Sequence, residues 1–164
     1  MNFVFDSSAM IYFGKLRILE KIAKLEGKKI VPKSVYSEVV ETGLRRGEPE
    51  ANYIQSFIQN KHFIVAKPKS QPGQIPFLSK ADVEVLTIAK ETNSLAIIDE
   101  IYSIGIAEAM GVENHGSVYL ILKLLKEKII GKEEAKNALN SMISLGFYLS
   151  VQKYNEVISK IEEL

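Results

Sequence analysis

The chain has 164 residues, 46% of them hydrophobic and 25% charged, the size and composition of one ordinary globular domain with a sizeable core. Its 21 basic residues stand against 20 acidic ones, which excludes a broad basic surface; any nucleic-acid contact has to be local or assisted by bound cations. There is no cysteine and only His62 and His115 as histidines, so disulfides, thiolate nucleophiles and the usual zinc sites are excluded, and any metal must be a hard ion held by carboxylate oxygens.

Asn2-Phe3-Val4-Phe5 is short, apolar and β-prone, and it stops at Asp6-Ser7-Ser8, so it is expected as the first strand. Ile11, Leu16, Leu19, Ile22 and Leu25 then recur at helical spacing until Gly27. Lys29-Ile30-Val31 reads as the second strand. Pro32 and Ser34 open a helix that carries Val35, Glu38, Val39 and Val40 and is expected to close at Gly43. Residues 50–59 suggest a short helix and 63–66 a third strand. Residues 67–77 hold three of the five prolines and form a loop. A helix is predicted over 79–92, and Leu95-Ala96-Ile97-Ile98 reads as the fourth strand, ending in Asp99-Glu100. A helix through 107–110 leads to a short fifth strand near Val112. Residues 116–128, 132–144 and 151–163 are amphipathic helices, so 117–164 is expected as a helical extension of a single domain spanning 1–164.

Strands alternating with helices predict a three-layer α/β/α sandwich around a central parallel sheet of four to five strands. No apolar run approaches the roughly 18 residues of a membrane span, and the first residues lack a basic segment followed by an apolar one. A cytoplasmic protein without membrane contact is therefore expected. In such sheets the ligand crevice lies beyond the carboxyl ends of the strands, where strand order reverses.

Carboxylates follow those ends. Asp6 comes after the first strand and Asp99 after the fourth; Glu38 lies early in the helix after the second, and Asp82 early in the helix before the fourth. Each has a structural explanation of its own. Asp6 suits a helix N-cap, Asp82 the fourth residue of a Ser79 capping box, Glu38 a solvated helix face, and Asp99-Glu100 a strand-ending turn. Taken singly, the structural explanation outweighs catalysis. Four acids in this order and these contexts weigh the other way. Glu84 is left out, because two residues from Asp82 on a helix it points elsewhere.

The ordered set resembles the PIN-domain family, and within it the VapC-like, toxin-type branch of small prokaryotic ribonucleases. The blocks that carry the resemblance are Phe3-Val4-Phe5-Asp6-Ser7-Ser8, Ile30-Val31-Pro32 through Glu38-Val39, Leu78-Ser79-Lys80-Ala81-Asp82, and Ile97-Ile98-Asp99-Glu100 through Ala107 and Gly111. Gly116-Ser117 and Gly146-Phe147-Tyr148-Leu149-Ser150 resemble the C-terminal segment of one subgroup. The chain departs from the pattern at Glu100, where a second Asp is usual, at Ile104, where relatives often carry arginine, and at Ser117, where threonine is commoner.

The resemblance implies single-stranded or structured RNA as substrate, cut to leave a 5′-phosphate and a 3′-hydroxyl. Four clustered acids repel one another unless cations neutralise them, and Mg²⁺ or Mn²⁺ with an octahedral oxygen shell suits that task. Asp6 and Asp99 are then expected as direct ligands, with Glu38 and Asp82 completing the site or acting through water, and Ser7, Glu100 and Ser117 supporting it. Lys28, Lys29, Lys33, Arg45 and Arg46 are candidates for phosphate contacts, although a scatter of basic residues more often forms a solvated surface. The family further implies a homodimer and a cognate antitoxin protein. Phosphoaspartyl enzymes fit poorly, since Ser8 stands where a second aspartate would be needed. The stronger rival is a PIN-like module that binds RNA or a protein without cutting.

Overall fold

The structure is a computed structural model that describes residues 1–164. The chain runs β1 (Phe3–Phe5), α1 (Ser7–Lys15), α2 (Leu19–Ala23), β2 (Lys29–Pro32) and α3 (Lys33–Tyr36). A π-helical segment (Ser37–Thr42) joins α3 to α4 (Gly43–Arg46), and α5 (Pro49–Gln59) leads to β3 (Ile64–Ala66). Then come α6 (Lys80–Thr92), β4 (Leu95–Ile97), α7 (Ile101–Ala109), β5 (Asn114–His115), α8 (Ser117–Lys126), α9 (Lys132–Ser144) and α10 (Val151–Glu163).

All five strands are parallel, in the order β3-β2-β1-β4-β5. Phe3, Val4 and Phe5 lie opposite Leu95, Ala96 and Ile97. Successive strand residues point to opposite faces, yet Phe3, Val4 and Phe5 are all fully buried, so both faces of the sheet are covered and the fold is the expected α/β sandwich. The chain steps outward from β1 to β2 to β3, then crosses to β4 on the other side of β1. Strand order therefore reverses between β1 and β4. The long helix α6 makes that return, packing on β1, β2 and β4, which sets its first turn at the carboxyl edge of the sheet.

Buried side chains form one cluster from Phe3 on β1 to Ile161 on α10, so the C-terminal helices close on the same core as the sheet. No helix is long and apolar enough to cross a membrane.

Four expected boundaries differ, each for a local reason. The apolar repeat after Asp6 belongs to two helices, because α1 ends in a Schellman turn: Ile18 N–H bonds to Phe13 O at 3.2 Å and Arg17, with φ 55°, takes the left-handed site. Gly43 does not close its helix. It has ordinary helical φ, and a Cβ there would come within 2.9 Å of the Ala51 methyl, so this glycine permits close packing on α5 while Gly47, at φ 71°, makes the stop. Helix α7 begins six residues before the expected stretch, directly after Glu100. The fifth strand is Asn114–His115 and excludes Val112, whose N–H bonds to Ala107 O at 2.8 Å in the Schellman turn that ends α7 at Gly111.

Candidate functional site

Asp6 leaves β1 with its own N–H still bonded to Ile97 O, at 3.2 Å, so the adjacent strand fixes its backbone. Its side chain caps α1, Oδ1 accepting the Ala9 N–H at 2.7 Å. The cap explanation is thus correct, and it is incomplete. A capping aspartate normally faces water, whereas Asp6 is only 5% exposed. Burial pushes its carboxyl up to about 7, with the nearby Asp99 and Asp82 charges adding to the rise and the Ala9 and Asp99 backbone N–H groups opposing it.

Asp99 stands across the strand boundary from Asp6, between β4 and α7. Ser117, the first residue of α8, holds it at both oxygens: its N–H donates to Oδ1 at 2.7 Å and its hydroxyl donates to Oδ2. Burial raises the Asp99 carboxyl above its ordinary range, and those two bonds restrain the rise. Gly116 leaves the space this needs, since a Cβ at 116 would lie 2.7 Å from Asp99 Oδ1.

Glu38 sits in the first turn of the π-helical segment, exposed, and accepts a hydrogen bond from the Ser7 hydroxyl. That bond spans from the β2 side of the crevice to the β1 side. Asp82 forms the complete capping box of α6: its Oδ2 accepts the Ser79 N–H at 3.0 Å, and its own N–H donates to Ser79 Oγ at 3.1 Å. The box leaves Oδ1 unengaged, and Asp82 is near enough to raise the Asp6 carboxyl.

Glu38, Asp82 and Asp99 each accept a serine hydroxyl, from Ser7, Ser79 and Ser117. In these side-chain conformations no three of the acids converge on a single ion position. The donor set itself, oxygen-only, anionic and part-buried, suits a hard divalent cation. Asp6 and Asp99 are the members of that set that lie back from solvent at the strand ends, whereas Glu38 and Asp82 would have to act through water or turn away from Ser7 and Ser79.

The expected supporting residues separate. Ser7 and Ser117 touch the acids. Glu100 caps α7, accepting the Ser103 N–H at 2.8 Å, and the Tyr102 and Ser103 N–H groups hold its carboxyl below the ordinary range. Lys28 and Lys29 lie at the amino end of β2, the opposite edge of the sheet from the acids. Lys29 is buried and bonds to Gly27 O at 2.8 Å and Ala23 O at 3.0 Å, closing the end of α2, which removes it as a phosphate contact. Lys33 pairs with Glu41 at 2.9 Å and lies 4.6 Å over the Tyr36 ring. Arg45 and Arg46 are exposed at the end of α4, Arg45 donating to Thr42 Oγ1 at 3.0 Å. Ile104 is half-buried against the core.

Glu84, which helical spacing turns away from Asp82, has a structural role: it is buried, and its Oε2 accepts the Ser34 N–H at 2.9 Å, satisfying the first turn of α3 from the facing helix. A buried acid on an apolar helix face was the available signal. The other residues that the pattern did not mark are Phe77 and Tyr102, two exposed rings near the heads of α6 and α7 whose centroids are 5.9 Å apart.

A family model described as a PIN domain matches residues 2–163. No curated protein matches the chain significantly. Among solved structures, a PilT N-terminus domain protein from the hyperthermophilic archaeon Sulfolobus solfataricus P2 superposes with a TM-score of 0.56 at 23% identity, over 76% of this chain and 94% of that one. A domain of a functionally unknown protein from Methanocaldococcus jannaschii gives 0.48 at 19% identity, over 71% of this chain and 91% of its own.

Proposed function

As the chain belongs to the PIN-domain family, a nuclease-like fold whose members typically use divalent metals, we propose that it is a Mg²⁺- or Mn²⁺-dependent endoribonuclease acting at the Asp6–Asp99 crevice. One observation carries the reading. A buried aspartate, Asp6, and a part-buried one, Asp99, stand at the carboxyl ends of adjacent parallel strands, where strand order reverses, and the fold raises both of their pKa values without supplying a cationic side chain to either. An arrangement that strains two anions in this way favours a bound cation.

A divalent ion there supplies the charge that offsets a scissile phosphate and its leaving oxygen. Asp6 and Asp99 hold it, Ser117 fixes the Asp99 carboxylate, and Asp82 adds negative charge from the head of α6. Glu38, exposed and held by Ser7, stands free to accept a proton from an attacking water. The substrate class is RNA, reached through local contacts, as the near-neutral chain requires.

The finer assignment, a VapC-like toxin that forms a homodimer and is covered by an antitoxin, rests on the residue pattern. It is tested by light scattering of the purified protein and by growth arrest on expression. Arrest relieved by Asp99→Asn supports it; harmless expression of an active enzyme removes it.

The deciding assay is cleavage of a mixed single-stranded RNA pool with Mg²⁺ or Mn²⁺, beside EDTA and the Asp99→Asn protein. Metal-dependent cutting lost in the variant sustains the reading. Absence of cleavage with either metal favours the non-catalytic binding module, the alternative that the unconverged side chains and Ile104 support.

A further inference from the structure

Residues 75–78 form a turn closed by the Leu78 N–H on Ile75 O at 3.1 Å. Pro76 occupies its second position and Phe77, with φ 65°, its third. This is the arrangement of a type II turn, whose third position ordinarily belongs to glycine or asparagine because a side chain there strains the backbone. Phe77 gains no burial in return: it is 91% exposed. Folding does not account for a strained, solvated aromatic ring.

Its surroundings do. Phe77 meets Tyr102 edge to face at 84°, and Tyr102 is itself 43% exposed. Phe77 lies two residues before Ser79, which caps Asp82, and Tyr102 three residues after Asp99, so the rings stand where α6 and α7 enter the acidic crevice. A cleft of about 1210 Å³ runs from Phe77 beneath the 67–78 loop to Ser37, the neighbour of Glu38. Lys33, Lys67 and Lys80 line it, and Lys67 and Lys80 form no ion pair. The only acid on its wall is Glu84, bonded to the Ser34 N–H.

We propose that Phe77 and Tyr102 form a base-stacking platform for single-stranded RNA, with Lys67 and Lys80 holding the backbone of the same strand along the adjoining cleft. Exposed aromatic faces next to unpaired lysines match the two surfaces of a single strand, unstacked bases and phosphates. A duplex, whose bases are already stacked, offers nothing to the rings. The platform rests on the reading of the protein as one that acts on RNA, and it deepens that reading by choosing the strandedness of the substrate and a subsite for it.

The test reads binding rather than cleavage, so the two ideas fail separately. Anisotropy of a fluorescent mixed-sequence single-stranded RNA is measured in EDTA at low salt for the wild type, Phe77→Gly, Tyr102→Leu and Phe77→Trp. Phe77→Gly removes the strain and the ring together. It is expected to fold at least as stably as the wild type and to bind about tenfold or more weakly, the usual effect of losing one stacked base. Tyr102→Leu should weaken binding similarly. Phe77→Trp should keep the affinity, and its indole, the only tryptophan in the chain, should be quenched by bound RNA. Wild-type affinity in Phe77→Gly, unmoved tryptophan emission, equal binding of duplex RNA, or no binding by the wild type would each overturn the platform. Ring-dependent binding without any metal-stimulated cleavage would keep the platform and remove the nuclease.

Discussion

Gly116 and Asp99 are packed so that a methyl group on residue 116 would lie 2.7 Å from Asp99 Oδ1. The backbone at Gly116, φ −85° and ψ 175°, is open to any residue, so what glycine provides is room for the carboxylate. Gly116→Ala should therefore fold normally and displace Asp99. We expect kcat/KM for metal-dependent RNA cleavage to fall by about 10–100-fold, the range typical of disturbing a residue that orients a ligand. Urea unfolding should show little change. Wild-type cleavage by this variant would place the chemistry away from Asp99.

Ser117→Ala tests the same carboxylate from its other side. The Ser117 N–H remains and the hydroxyl is lost, so the charged form of Asp99 loses one of two stabilising bonds. Its pKa should rise further. The acid limb of the pH–rate profile should move to higher pH, and the metal concentration for half-maximal activity should increase about tenfold. An unshifted acid limb would count against Asp99 as the titrating group.

Asp6 makes stability depend on pH in the direction opposite to a salt-bridged aspartate. Its folded pKa of about 7 lies above the unfolded value of 3.8, so the native state holds the proton more tightly. Without metal, stability is greatest below pH 3.8 as far as this group is concerned, and it declines as pH rises to about 7. The shift corresponds to about 4 kcal/mol at full ionisation. In EDTA, Asp6→Asn should lack this decline, so the difference in stability between variant and wild type should widen from pH 5 to 8. Mn²⁺ should narrow it again for the wild type alone. A constant difference would mean that Asp6 is not buried as an anion.

Glu84→Ala should be a stability variant. It leaves the Ser34 N–H at the head of α3 without its acceptor, which costs about 1–3 kcal/mol in denaturant unfolding. Glu84→Gln keeps an acceptor oxygen and should recover most of the loss. Equal losses in the two variants would show that the charge, rather than the bond, matters at this helix end.

The architecture was legible because the strands are short apolar runs closed by polar residues. Phe3-Val4-Phe5 and Leu95-Ala96-Ile97 could hardly lie anywhere but the centre of a covered parallel sheet. Placing Asp82 beside Asp6 needed the crossover from β3 to β4, which no local pattern encodes. The capping explanations of Asp6 and Asp82 were sound, and a cap leaves room for a second role. In Asp82 one carboxylate oxygen closes the cap while the other has no partner. Leaving Glu84 out of the site holds, while Lys29 misled, and the burial of both was hidden for a common reason. Charged residues are expected at the surface, and each of these is buried against backbone groups contributed by tertiary packing or a neighbouring turn. The extra residue in the helix after β2 left no mark either, since Val39 and Val40 suit both α and π winding.

That winding sets the phase of everything after it. Before Ser37 the helix is in step with β2; after Thr42 it is in step with α5, where Gly43 meets Ala51. Each α-helical residue advances the chain about 100° around the axis. Deleting one residue between Ser37 and Thr42 and letting the segment relax to α winding would leave Glu38 and Gly43 in nearly their present phase, whereas winding all six residues as α-helix would swing Gly43, Arg45 and Arg46 by about that angle. The π turn thus works as a shim between two surfaces: it takes up one residue so that Glu38 keeps its place after β2 while Gly43 still meets Ala51, and the spacing from Glu38 to Arg45 can differ by a residue without turning the helix that follows.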